Sequence, residues 1–303
     1  MLPAVIASAQ DVLRESTGWL AQVLPNQVLG RDTLFPLQSK PVQVEADFQW
    51  TEGAALEWRA VAVDAPPGSI RAITAEVYRH LLASLGKRQL YRVWNFVPRI
   101  NDDESGLEAY QQFSFARSIA FEEAYAAESE ARMPAASAVG TPGNQLVVLA
   151  FTGLTTPRYF ENPAQVPAYR YPEQYGPRAP SFARATAVTD GLTDWVFISG
   201  TAAIRGAASL HPGDCFQQAV LTVDNLRLIA AESGLSLNAV HPGLRRFFRV
   251  YLRHAADYSA IRSYLEDVLL REGDEVEFLQ AEICRADLTV EIEATLNFPA
   301  TSR

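Results

Sequence analysis

Residues 288–296 read LTVEIEATL, and the alternation is strict. Leu288, Val290, Ile292, Ala294 and Leu296 fall on one face, with Thr289, Glu291, Glu293 and Thr295 on the other. A period of two is a strand with one face in a core. The second face holds two carboxylates two residues apart. Two readings fit it. One is a solvated sheet face. The other is a cleft, where desolvation raises the pKa of one carboxylate and makes it an acid or base.

Working outward, residues 276–284 form another expected strand. Before it comes a helix over 257–270 with Tyr258, Ile261, Leu265 and Leu269 on one side. A strand over 246–252 precedes that, then a helix over 214–231 with Phe216, Ala219, Val223, Leu226 and Ala230 at helical spacing. A hairpin of 183–188 and 195–198 leads in.

The first half repeats the order. It predicts a helix over 70–85 closed by Gly86, a strand over 89–97, a helix over 106–126, and strands over 135–139 and 145–152. Strands are also expected at 41–48 and 56–63, after a weakly patterned lead-in over 1–40. Trp94 and Phe96 are assigned to the core. Each half thus reads helix, strand, helix, strand, strand. The class is α+β: two similar domains, 1–156 and 157–303, their sheets packed with helices on one face. In this alignment Val147 and Leu149 stand where the second half has Glu291 and Glu293, which assigns the chemistry to the second half.

Residues 157–184 interrupt the pattern with six prolines and four tyrosines and no helical period. A loop of this length is more often functional than idle, and domain junctions favour pockets. It is expected to close one side of such a pocket.

Composition narrows the partners. The 303 residues are 48% hydrophobic and 20% charged, a globular mixture with net charge −9. That balance argues against nucleic acid and membrane surfaces, so an anionic ligand needs a local arginine cluster. No run reaches the length of a membrane span, and the opening MLPAVIASAQDVLRES lacks the basic start of a signal peptide; a cytoplasmic location is expected. Cys215 and Cys284 form neither a disulfide framework nor a zinc pattern, and the four histidines lack metal-ligand spacing. No metal and no cofactor are expected.

FISGTAAIRG (197–206), the HPGD turn at 211–214, the helix around 217–225 and VEIEAT resemble a RidA (YjgF-like, chorismate-mutase-like) domain. YRVWNFVPRIN (91–101), QVPAYRYPEQYGPRAPSFARAT (165–186) and AEICRADLTVEIEA (281–294) are similar to a narrower family, the chorismatases. Those are two-domain RidA-fold enzymes that remove pyruvate from chorismate. RidA deaminases carry an arginine on the strand leading into VEIEA; here none lies between Arg271 and Arg285, which argues against an enamine deaminase.

The resemblance implies a small-molecule substrate, chorismate, and cofactor-free chemistry. It makes Glu291 the acid that protonates the enol-ether methylene, with Glu293 supporting or solvated. A cysteine at Cys284 is what the 3-hydroxybenzoate-forming members are expected to have, assisting aromatisation. If residues 286–287 make a two-residue turn, Cys284 pairs with Thr289 and is a diagonal neighbour of Glu291; a three-residue turn turns it to the apolar face. The resemblance favours the first.

Arg99, Arg170, Arg178 and Arg184 lie in the family-like stretches and suit carboxylate binding. Tyr169 and Tyr171 are candidate hydroxyl donors, and Thr201 stands beside Gly200 at a close backbone approach. Ala207 and Ala208 depart from the polar residues associated with this motif. A hydrolytic chorismatase making the diene diol, and a RidA-like protein that only binds a small carboxylate, are the alternatives. The assembly is either a homotrimer or a monomer whose internal pseudo-symmetry replaces one.

Overall fold

The computed structural model describes residues 28–32, 49–50 and 56–300. The first part contains β1 (Val28–Asp32), β2 (Gln49–Trp50), β3 (Leu56–Asp64), α1 (Ile70–Ser84), β4 (Gln89–Pro98), α2 (Ala109–Tyr125), β5 (Ala135–Thr141) and β6 (Gln145–Gly153). The second contains β7 (Arg158–Phe160), β8 (Ala185–Thr189), β9 (Thr193–Thr201), a small hairpin of β10 (Ile204–Arg205) and β11 (Ala208–Ser209), α3 (Cys215–Glu232), β12 (Arg245–Leu252), α4 (Tyr258–Val268), β13 (Glu275–Gln280) and β14 (Val290–Pro299).

Local signals set the helices. Ile70, Thr74, Val77, Tyr78 and Leu81 recur at helical spacing on the buried side of α1. Gly86, at φ 58°, takes the left-handed turn that follows it. The α2 N-terminus is tied by a reciprocal capping box between Glu108 and Gln111. The Asp214 side chain accepts from the Gln217 amide at 3.0 Å and starts α3.

Two sheets result, with strand orders β2-β3-β6-β4-β5 and β1-β13-β12-β14-β9-β8-β7. The run β3-β6-β4-β5 maps onto β9-β14-β12-β13. In each, the last pair is parallel and the other two are antiparallel. The repeated element order is therefore a repeated topology, and the fold is α+β.

Three apolar layers hold it. One lies between the first sheet and α1 and α2, and includes Tyr78, Val93, Phe113 and Phe121. A second lies between the other sheet and α3 and α4, and includes Val223, Leu226, Phe248 and Ile292. The third joins the two sheets face to face, with Trp94, Phe96, Leu149 and Phe151 meeting Trp195, Phe197 and Tyr251.

That third layer removes the solvated reading of the Glu291–Glu293 face. Both residues are only 3% exposed, because the face carrying them is covered by the opposite sheet. Other expectations need correction too. The lead-in contributes β1, which runs antiparallel to β13 on the edge of the second sheet, across the expected 156/157 division. The strand expected at 41–48 lies outside the described residues. The strand expected over 276–284 stops at Gln280. β13 and β14 then flank β12 on opposite sides instead of forming a hairpin, so Cys284 has no cross-strand partner in Thr289. Residues 281–289 bridge over the end of β12.

Candidate active site

A cavity of about 330 Å³ opens where the two halves meet. Its walls come from α2, β4 and β5 of the first half, and from the junction loop, β9 and the 281–289 connection of the second. Glu291 forms part of its floor.

Glu291 sits opposite Tyr251 in the β14–β12 register and packs over Gly200 of β9. Its Oε1 is buried without a hydrogen-bond partner. Desolvation, reinforced by the neighbouring Glu293 charge, raises its pKa to about 8, against the pull of Arg92 and Arg184. At neutral pH it is a protonated acid facing a cavity, with an oxygen to spare.

Glu293, two residues along, is placed differently. It accepts from Arg92 Nη2 at 2.7 Å, Ser137 Oγ at 2.6 Å, Trp94 Nε1 at 2.7 Å, Arg249 Nη1 at 3.2 Å and Tyr251 Oη at 3.2 Å. It does not line the cavity.

Cys284 lines the cavity from the 281–289 connection, half-buried between two apolar layers. Burial and the nearby Glu291 push its thiol up to about 12, although Arg285 and Arg184 pull the other way. It is a neutral thiol, not a thiolate.

Of the expected binding residues, Tyr171 and Arg184 line the cavity. Arg184 Nη2 donates to Tyr171 Oη at 2.7 Å and to the Val166 carbonyl at 3.2 Å. The structure places Arg99, Tyr169, Arg170, Arg178 and Thr201 outside the walls, since each is engaged elsewhere. Arg99 donates to Asn144 Oδ1 and the Ala65 carbonyl, both at 2.7 Å. Arg170 pairs with Glu130 at 2.6 Å and Arg178 with Glu122 at 2.8 Å, on the surface. Tyr169 packs against the first helical layer under the Arg170 guanidinium. Thr201 turns its hydroxyl to the Ser199 carbonyl at 2.8 Å.

Two cations that the sequence reading missed take their place. Arg117 of α2 is 3% exposed, lines the cavity, and leaves Nε and Nη2 without hydrogen-bond partners. Its guanidinium lies 5.0 Å from the Tyr78 ring centre and 5.1 Å from that of Phe121. The available signal was an arginine inside the buried stripe Phe113, Ala116, Ala120, Phe121. Arg285 follows Cys284, stacks 3.8 Å over Tyr175, and is held through Nη1 by the Ala207 carbonyl at 2.8 Å and Ser209 Oγ at 3.1 Å. Its Nη2 is buried without a partner. Nothing in the sequence marked Ser137, which reaches the cavity from β5.

Comparison with known proteins gives the family. Residues 37–152 match the family model described as chorismatase FkbO/Hyg5-like, N-terminal. A chorismatase from Streptomyces rapamycinicus is 37% identical over 76% of this chain and 71% of its own length. The chain belongs to the chorismatase family. A 3-hydroxybenzoate synthase from Streptomyces hygroscopicus is 35% identical, over 71% of this chain and 66% of its own. The chain thus spans about two thirds of the length of the curated relatives it matches. A crystal structure of a chorismatase superposes with a TM-score of 0.72 at 30% identity, covering 85% of this chain and 80% of that one. No helix among the described residues is long and apolar enough to cross a membrane.

Proposed function

We propose that this protein is a chorismatase that removes pyruvate from chorismate and forms 3-hydroxybenzoate. The observation that carries the reading is Glu291: a buried acid, protonated at neutral pH, with Oε1 unpartnered beside the cavity.

Protonation of an enol ether at its methylene carbon needs a carboxylic acid whose proton is retained at working pH. Glu291 supplies it, and the ether carbon becomes an oxocarbenium-like cation. The ring's own hydroxyl oxygen adds to that carbon, and the bond to the former ether oxygen breaks and leaves that oxygen on the ring as a hydroxyl. The three-carbon unit then departs with the attacking oxygen as pyruvate, while the ring loses a proton and becomes aromatic. The carboxylate of Glu291 then takes a proton back. Chorismate carries two carboxylates, and the unpaired N–H groups of Arg117 and Arg285 are free to meet them. Arg184 and Tyr171 hold the loop side of the cavity.

The product is 3-hydroxybenzoate in this reading for two reasons. The Streptomyces hygroscopicus relative carries that name, and Cys284 lies in the cavity with a neutral thiol suited to passing ring protons. Formation of 3-hydroxybenzoate and pyruvate from chorismate consumes no net water, whereas the diene diol retains one. Incubation of purified protein with chorismate, pyruvate measured by coupled lactate dehydrogenase and the organic acid by chromatography, tests both parts. Equal amounts of pyruvate and 3-hydroxybenzoate are expected. No pyruvate refutes the activity, and pyruvate with only diene diol refutes the product.

A further inference from the structure

Glu293 has no place in the steps above, yet it is among the most heavily bonded side chains of the second sheet. Five donors from three strands converge on its two oxygens: Arg92 and Trp94 of β4, Ser137 of β5, and Arg249 and Tyr251 of β12. Five donors around two oxygens cast this side chain as a hydrogen-bond acceptor on every side.

The same network reaches the acid. Ser137 Oγ donates to Glu293 at 2.6 Å and accepts from the Gly200 amide at 2.9 Å. Gly200 is the residue over which the Glu291 carboxylate packs. Glu291 and Glu293 share one face of β14, about 7 Å apart along the strand.

We propose that Glu293 is a positioning residue: its fixed negative charge keeps the proton on Glu291, and its bond from Ser137 holds Gly200 against the acid. This rests on the reading of Glu291 as the proton donor. The groups facing Glu291 are Glu293 on its own strand, Tyr251 on β12, Arg92 from β4, Arg184 at the end of the junction loop, and Cys284 from the connection. Only the two arginines favour its ionised form, and Glu293 engages Arg92 directly. Neutralising Glu293 therefore acts twice. It removes the repulsion and frees Arg92, and with it Arg249, to attract the Glu291 anion; Glu277 still pairs with Arg249.

The test combines Glu293→Gln and Glu293→Asp with a pH series of chorismate turnover and a glutamate-13Cδ NMR titration, Glu291→Gln supplying the assignment. In Glu293→Gln the Glu291 midpoint is expected to fall by about one pH unit or more, with turnover above pH 7 reduced about tenfold or more. KM for chorismate is expected to change less than about threefold, because Glu293 does not line the cavity. Glu293→Asp keeps the charge and is expected to hold the midpoint within about half a unit, also deciding the matter if the Gln variant fails to fold. An unchanged midpoint in Glu293→Gln, a midpoint in Glu293→Asp that falls as far as in a neutral variant, or a wild-type titration in which Glu293 takes the proton overturns the proposal. Absence of pyruvate from wild type would refute the assigned reaction alone, because the NMR midpoint is read without substrate.

Discussion

A Cβ on Gly200 would collide with the Glu291 carboxylate and stand 2.9 Å from the Ser137 hydroxyl. The glycine is needed for space, since its φ is not in the left-handed region. Strand β9 therefore approaches β14 at a point where only a hydrogen fits.

Gly200→Ala should displace the acid and abolish most turnover. Forcing one methyl group into a packed interior costs about 1–3 kcal/mol, and melting should report a loss of that order. An alanine variant with wild-type turnover would show that the acid tolerates a shift, and the tight placement argued for it would fail.

The pKa of Glu291 sets two pH dependences. Turnover needs the protonated form, so it should be present at neutral pH and fall as pH rises through about 8. Stability follows the same group. Its folded pKa is raised above that of an unfolded glutamate, so the stability it contributes is complete below the unfolded value and lost as pH rises through about 8. Glu291→Gln, which does not titrate, should gain in melting temperature over wild type as pH increases from 5 to 9. A gap that stays constant with pH would contradict the raised pKa.

Arg117 presents buried, unpaired N–H groups to the cavity, a cost to the ligand-free fold that a carboxylate would remove. Arg117→Met should lower kcat/KM for chorismate by roughly 10- to 150-fold, the equivalent of a charged hydrogen bond of about 1.5–3 kcal/mol. The empty protein should melt no lower than wild type. Unchanged kcat/KM would exclude Arg117 as a carboxylate partner.

The sequence made the α+β halves legible because each buries two faces whose periods survive in the residues, 3.6 on α1 and two on β14. The inter-sheet layer was less legible. Glu293 and Arg92 lie about two hundred positions apart, and only the face-to-face packing of the sheets brings them together at 2.7 Å. Glu291 and Cys284 were singled out through motif resemblance and both line the cavity, although the hairpin geometry expected for the cysteine was wrong: a strand crossing between β13 and β14 leaves no local periodicity. Arg170 and Arg178 drew attention because they sit in a distinctive loop, yet both point to surface glutamates of the first half. Arg117 was hidden by position, since an arginine in an apolar helix stripe resembles a surface residue until the cavity beside it is seen.

Cys284 should govern which product forms. Cys284→Ala is expected to keep pyruvate release within about tenfold, a change of about 1.4 kcal/mol in the barrier, while the aromatic acid gives way to the diene diol. The same 3-hydroxybenzoate-to-pyruvate ratio in the variant would reduce Cys284 to a packing residue.

The central claim is that Glu291 delivers the proton, and pyruvate release by Glu291→Gln tests it most directly. The amide fills the same space over Gly200 and cannot donate a proton at neutral pH. Chorismate turnover at pH 7 should fall by about a thousandfold or more, within the range for removal of a general acid, with the fold intact by circular dichroism. Pyruvate release within tenfold of wild type would contradict the account.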